Sequence, residues 1–301
     1  MTKKTPSLTS LGTNLLAIVP ELETQALTTI RLHPRRGEVL DVSASKIGGT
    51  FLWPANETWP KNDYINALYI PILQINLADV LNFPFPVGKD LMQFLWAPIP
   101  AYHKDSHLLC FPLIYWRSSE LIHYSHTQIP QFNPDKHLIP KPCTLSFEKL
   151  IEYTPYEELT NEQTQRLVEG LDMERIRTLY HENDWLDTPN EYLTPYGVYT
   201  CLLSVCPASK LGGHVSWLQQ PEWPTCDCGN RMDHLFTLTD SEIDRSTALR
   251  WLPVEDRETW KDLRTRNEIE IPPDWNLGGG AYYVFVCRLC SDWPIKGVYQ
   301  R

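Results

Sequence analysis

One phrase occurs twice in this chain, and the repetition limits the architectures open to it. Residues 45–53 read Ser-Lys-Ile-Gly-Gly-Thr-Phe-Leu-Trp, and residues 209–217 read Ser-Lys-Leu-Gly-Gly-His-Val-Ser-Trp. Six residues after each tryptophan stands a Trp-Pro pair, Trp59-Pro60 and Trp223-Pro224. Every matched position is offset by 164 without a gap, and seven positions of the 16-residue windows are identical. Ordinary residue usage would give roughly one. A duplication of this kind calls for two related structural units.

The copies continue beyond the phrase. Residues 70–79 and 234–240 are β-prone runs that both end Leu-x-Asp, now offset by 161. Gly88 then introduces Leu91-Met92-Gln93-Phe94-Leu95-Trp96, and Gly278-Gly279-Gly280 introduces Tyr282-Tyr283-Val284-Phe285-Val286-Cys287, offset by 191. Aromatic and β-branched runs bounded by glycine read as strands. The growth from 161 to 191 places about 30 extra residues of the second copy within 241–275, enough for one helix and a loop.

A different region lies between the copies. Leu145, Phe147 and Leu150 alternate as in a strand. Thr160 to Gln163 forms a capping-box pattern, after which Leu167, Val168 and Leu171 share a helical face. Asp172 is placed to cap a second helix bearing Ile176, Leu179 and Tyr180. The expected architecture is a β-rich α+β fold, with two pseudo-repeats built on antiparallel sheets and a helical insertion between them. The first pseudo-repeat covers 1–120, a connecting α/β region 121–205, and the second pseudo-repeat 206–301. No low-complexity linker separates them, so one composite domain is expected.

Charge and hydropathy narrow the function classes. Lys plus Arg total 27 against 37 Asp plus Glu, a net charge of −10. That balance argues against general nucleic-acid binding and favours a basic partner through steering. The cluster Arg31, His33, Arg35 and Arg36 beside Pro34 reads as a solvated turn. No stretch reaches the roughly 20 apolar residues of a membrane span, and no signal peptide follows the N-terminal lysines. A cytoplasmic protein is expected, in which eight cysteines are free thiols or metal ligands rather than disulfides.

Four of those cysteines carry the sharpest chemical signal. Cys226 and Cys228 form a C-x-C pair just after the second Trp-Pro, and Cys287 and Cys290 form a C-x-x-C pair at the last strand. Four thiolates suit a structural zinc ion; buried free thiols are the alternative. The first copy has Asn62, Tyr64 and Trp96 at the matching offsets, so the set belongs to the second copy alone. Cys201, Cys206, His214 and His234 are further ligand candidates, each more simply read as core or surface.

Other features admit two readings each. Gly48-Gly49 and Gly212-Gly213 could form anion-binding nests charged by Lys46 and Lys210, or tight turns with positive φ, which are commoner. Trp53, Trp59, Trp217 and Trp223 could line a peptide-binding groove or pack beneath proline loops. No Gly-x-Ser-x-Gly elbow is present. His181-Glu182-Asn183-Asp184-Trp185 lacks the second histidine of a zincin helix.

The Ser-Lys-Ile-Gly-Gly phrase, Trp-Pro, the Leu-Gln-Ile-Asn-Leu strand and Gly-x-x-Leu-Met-Gln-Phe resemble the YwqG-like family of bacterial proteins. The second set, from Ser209 to Phe-Val-Cys, resembles it too. That family is similar in turn to eukaryotic proteins of the programmed-cell-death-two type. The resemblance implies an internally duplicated α+β fold and a role in protein binding, and it brings no established catalytic residues. The function expected is a non-catalytic protein-binding module that holds a client or neutralises a partner, such as a basic ribosomal protein or a toxin. The competing class is a hydrolase or transferase whose site is assembled from distant residues.

Overall fold

The computed structural model describes residues 3–37, 41–99, 110–123, 138–183 and 193–301. Among them lie fourteen strands and seven α-helices. The strands are β1 (Leu27–Arg31), β2 (Arg35–Arg36), β3 (Lys46–Ile47), β4 (Lys61–Asn62), β5 (Ala67–Leu68), β6 (Ile70–Asn76) and β7 (Leu91–Pro98), then β8 (Cys110–Arg117), β9 (Cys143–Thr144), β10 (Glu148–Glu152), β11 (Lys210–Gly212), β12 (Asp233–Thr239), β13 (Ala281–Val286) and β14 (Ile295–Gln300). The strand pairs described below are antiparallel, and the fold is β-rich α+β. No helix among the described residues is long and apolar enough to cross a membrane.

The chain divides into two compact units, each gathered from three stretches. One comprises residues 1–33, 146–216 and 241–270. Its strands run in the order β10–β1–β11, with Thr29 opposite both Leu150 and Gly212. All seven helices belong to it: α1 (Leu15–Ile18), α2 (Asn161–Gly170), α3 (Met173–Glu182), α4 (Pro195–Val198), α5 (Ala248–Trp251), α6 (Arg257–Lys261) and α7 (Asn267–Glu270).

The caps read from the sequence are in place. Thr160 Oγ1 accepts from the Gln163 amide at 3.2 Å, and the Thr160 amide donates to Gln163 Oε1 at 2.9 Å, closing the box at the start of α2. Asp172 accepts from the Arg175 amide at 2.9 Å and starts α3. Leu167, Ile176 and Tyr180 then enter a core with Leu15, Tyr199 and Trp251. Val168, expected on the same face, is 51% exposed. The 241–275 segment holds α5, α6 and α7 rather than one helix, with Pro253 falling between the first two.

Half of the basic cluster departs from expectation: Arg36 is exposed and Arg35 half-buried, but the other two residues are not solvated. Arg31 and His33 are both only 1% exposed. The Arg31 guanidinium donates to the carbonyls of Trp251 and Glu242, and His33 Nε2 pairs with Glu148 at 2.8 Å. The last three residues of β1, Thr29, Ile30 and Arg31, are all buried, so Arg31 lies where the strand is covered on both faces. The Trp251 carbonyl ends α5 and the Glu242 carbonyl lies in the loop before that helix; both need donors, and the guanidinium supplies them.

The second unit comprises residues 34–145, 217–240 and 271–301. It contains the sheet β2–β9–β3–β6–β7–β8, the ladder β12–β13–β14, and the small hairpin β4–β5. Aromatic rings join the two ladders. Phe94 on β7 meets Phe236 on β12 at 4.9 Å, and Trp96 meets Trp275 and Tyr282 at 5.5 and 5.8 Å. These rings are completely or almost completely buried and supply the apolar area that holds a sandwich together.

The duplication is visible in the ladders down to their irregularities. β6 carries a bulge between Pro71 and Leu73, and β12 carries one between His234 and Phe236. Matching the bulges aligns Asn76 with Thr239 and Leu91 with Ala281. The offsets are therefore 163 and 190, not the 161 and 191 read from residue similarity. Each copy also has a third strand that the sequence did not reveal, β8 opposite β7 and β14 opposite β13. Gly48, Gly49, Gly212 and Gly213 all have φ between 62° and 72°, so both glycine pairs are tight left-handed turns, a conformation that disfavours a Cβ.

Candidate metal centre

Two turns in the second unit converge their sulfurs. The first follows Trp223-Pro224 and is a short hairpin. Thr225 bridges Arg231, the Cys226 amide donates to the Asn230 carbonyl at 2.8 Å, and the Gly229 amide donates to the Cys226 carbonyl at 2.8 Å. Gly229 sits at φ 87° with open space around it, so only a glycine closes this turn without strain. The second turn ends β13. The Cys287 amide donates to the Pro294 carbonyl at 3.0 Å, and the Trp293 amide donates to the Cys290 carbonyl at 3.2 Å.

The four sulfur atoms of Cys226, Cys228, Cys287 and Cys290 all lie within 4.8 Å of one another. Cys228 Sγ is 3.6 Å from Cys287 Sγ. Cys226 and Cys287 are each 3.8 Å from Cys290. A tetrahedral metal–thiolate centre with bonds of about 2.3 Å requires sulfur–sulfur edges of about 3.8 Å. The donor set therefore fits a metal ion, and the C-x-C spacing brings its sulfurs together as well as the C-x-x-C spacing does. None of the cysteines is in a disulfide.

The thiols differ in surroundings. Cys226 and Cys287 are buried, Cys290 is half-buried and Cys228 is exposed. The Asn230 side-chain amide donates to Cys228 Sγ at 3.3 Å and, with help from the backbone, holds that thiol down at about 6. Its neighbours, Cys228 foremost, push the Cys290 thiol well up. Four thiolates in contact repel, and a bound cation removes the conflict. Around the set, Lys296 Nζ bonds Asp227 at 3.0 Å and the Thr225 carbonyl at 2.8 Å, fastening β14 to the hairpin.

The other ligand candidates lie elsewhere. Cys201, Cys206 and His214 belong to the first unit, where His214 Nε2 meets the Gln25 carbonyl at 3.0 Å. His234 Nε2 bonds Thr237 Oγ1 at 2.9 Å on β12. Of the motif at 181–185, Asp184 and Trp185 lie outside the described residues.

The repeated tryptophans form a pair in each copy. Trp53 and Trp59 are 4.6 Å apart, and Trp217 and Trp223 are 5.5 Å apart. Trp53 is 2% exposed in a cluster with Tyr69, Leu95 and Ala97; the other three are half-buried. The copies differ in what covers the indoles. Arg117 lies 4.5 Å over Trp53 and forms a bidentate pair with Glu57 at 2.6 and 2.7 Å. Arg231, from the cysteine hairpin, lies 3.6 Å over Trp223. The strand position of Arg117 is taken in the second copy by Gln300, whose Oε1 accepts the amides of Leu218 and Gln219. Sequence reading missed Arg117 and Gln300, because both lie on the two strands it did not detect.

Residues 45–253 match the family model described as Domain of unknown function (DUF1963). The match takes in both Ser-Lys-Ile/Leu-Gly-Gly phrases and the cysteine hairpin, and covers more than half of the chain, which therefore belongs to that family. No curated protein matches the chain.

Proposed function

With family membership as the premise, we propose that the chain is a YwqG-like, cytoplasmic, non-catalytic protein-binding module whose second repeat is clamped by a structural zinc ion. The observation that carries this reading is the closed set of four thiols with edges of 3.6 and 3.8 Å. Four protein ligands leave no open position for water or substrate, which is the arrangement of structural rather than catalytic zinc. Thiolate softness and tetrahedral spacing favour zinc over the harder divalent ions. Zinc would fix the hairpin against the end of β13 and supply no reaction.

Support for binding comes from what the centre holds outward. Leu289, between two of the ligands, is 77% exposed. A large apolar side chain on a rigid knuckle is suited to a partner's surface, and the net charge of −10 suits a basic one. The test is affinity capture from the source cell with wild type and Leu289→Glu, alongside elemental analysis. One zinc per chain is expected in both, with a protein partner recovered by wild type and lost by the variant. A bound metabolite with no protein partner would overturn the binding reading. A chain without stoichiometric zinc would overturn the metal reading.

A further inference from the structure

We propose that Cys228 is a site of oxidative modification, which a hydroperoxide joins to Cys287 in a disulfide with loss of the metal ion. The inference rests on the metal–thiolate reading given above.

Access selects the first residue attacked. Cys226 is 5% exposed and Cys287 2%, whereas Cys228 is exposed at the tip of the hairpin. Susceptibility to oxidation follows thiolate character and access, and metal ligation makes every one of the four a thiolate. Proximity selects its partner. Cys287 Sγ lies 3.6 Å away, on the facing turn and in direct contact with the Cys228 sulfur. A disulfide of about 2.05 Å requires the sulfurs to close by about 1.6 Å. The hairpin is not packed against other residues at Gly229, next to Cys228: no atom beyond its chain neighbours lies within 4 Å of a Cβ built there.

The chemistry balances without a further reagent. The Cys228 thiolate attacks the terminal oxygen of the hydroperoxide. A sulfur–oxygen bond forms, the oxygen–oxygen bond breaks, and the departing alkoxide or hydroxide takes a proton from water. The Cys287 thiolate then attacks the Cys228 sulfur. The disulfide forms, the sulfur–oxygen bond breaks and hydroxide leaves. Two electrons pass from the two thiolates to the peroxide. Two ligands are lost, and the ion passes to solvent. Cys226 and Cys290 remain as a second pair at 3.8 Å, and a second hydroperoxide oxidising it by the same two steps would replace the metal clip by two covalent links between the same two turns.

The test is titration of the zinc-loaded full chain with hydrogen peroxide, reading ion release with a chromogenic chelator and mapping disulfides in unreduced peptides by mass spectrometry. The expected result is release of one ion per chain with a Cys228–Cys287 linkage, reversed by dithiothreitol and added zinc. In Cys228→Ser, checked for folding by circular dichroism, Cys287 should be oxidised at least tenfold more slowly, as read in the same peptides. Retention of the ion with Cys228 unmodified would overturn the proposal, as would a dominant Cys287–Cys290 linkage or sulfonic acid at Cys228. A chain that takes up no zinc refutes the metal reading separately. The same mapping on that metal-free chain still decides the linkage, supporting it if Cys228–Cys287 forms and refuting it if not.

Discussion

Lys210 Nζ lies 2.6 Å from Glu152 Oε1 with both side chains completely buried. Glu152 also accepts from the amides of Cys206 at 2.9 Å and His214 at 2.8 Å. Burial pushes the Glu152 carboxyl up, and the ammonium beside it opposes that shift. The pair ties β10 to β11 and to the turn after it. Removing one partner of a buried ion pair strands the other charge, at about 3–5 kcal/mol. Lys210→Met should therefore lower stability by that order in urea unfolding. Adding Glu152→Gln should recover part of the loss, because the charge goes while an acceptor oxygen stays. Equal losses in the single and double variants would show that the stranded charge is not the cause.

The second glycine of each repeated phrase offers a matched comparison. Gly49 and Gly213 have φ of 70° and 72°. A Cβ on Gly49 would meet Pro142 at an ordinary 3.5 Å, whereas one on Gly213 would lie 2.2 Å from Glu152 Oε2 and 2.7 Å from Thr29. Gly49→Ala should cost about 1 kcal/mol for its backbone conformation alone. Gly213→Ala should cost well over that, about 4 kcal/mol, since it also displaces a buried carboxylate. Melting temperatures of the two variants give the answer directly. Similar shifts would mean that the Glu152 side can yield.

What the sequence disclosed followed from the range of the forces involved. The caps at Thr160 and Asp172 and the turns at Gly48-Gly49 and Gly212-Gly213 are local, and single residues signal them. The four-cysteine set was readable because thiols have few other uses in such a spacing. Arg31 and His33 were misread because nothing local reveals that Trp251, Glu242 and Glu148 need partners. β8 and β14 escaped because most of their side chains are half-buried whichever face they are on, which leaves no clean alternation. The register was missed by one or two residues because a bulge has no residue signature here, and only the hydrogen-bond ladder places it.

Lys46 takes the position of Lys210 in the first copy, but among the described residues no carboxylate is hydrogen-bonded to its ammonium. Lys46 Nζ donates to the carbonyls of Asp41, Val42 and Thr50 at 2.7, 3.1 and 3.0 Å. Burial lowers its pKa from 10.5 to about 8, with Asp41 opposing. The folded protein thus binds fewer protons than the unfolded chain between those values. Stability contributed at this site must rise as pH increases from about 8 toward 10.5, and be lowest below 8. The urea midpoint of wild type relative to Lys46→Met should climb across pH 8–10. Parallel curves for the two proteins would refute the shift.

Metal removal should be felt beyond the cysteines, through Trp293. Its amide donates to the Cys290 carbonyl at 3.2 Å, its φ is 47°, and its ring meets Trp116 of β8 edge-on at 5.6 Å. A non-glycine residue holds positive φ only where its surroundings fix it, and the cysteine turn is the adjacent constraint. A ligand that binds only the folded state, present at 1,000 times its dissociation constant, contributes about 4 kcal/mol. Chelation should therefore lower the melting temperature by several degrees and shift tryptophan emission to the red as the Trp293–Trp116 contact loosens. In Trp293→Phe the melting temperature should still fall while most of the emission change disappears. An unchanged emission spectrum on complete removal of the ion would show that the turn keeps its shape without metal.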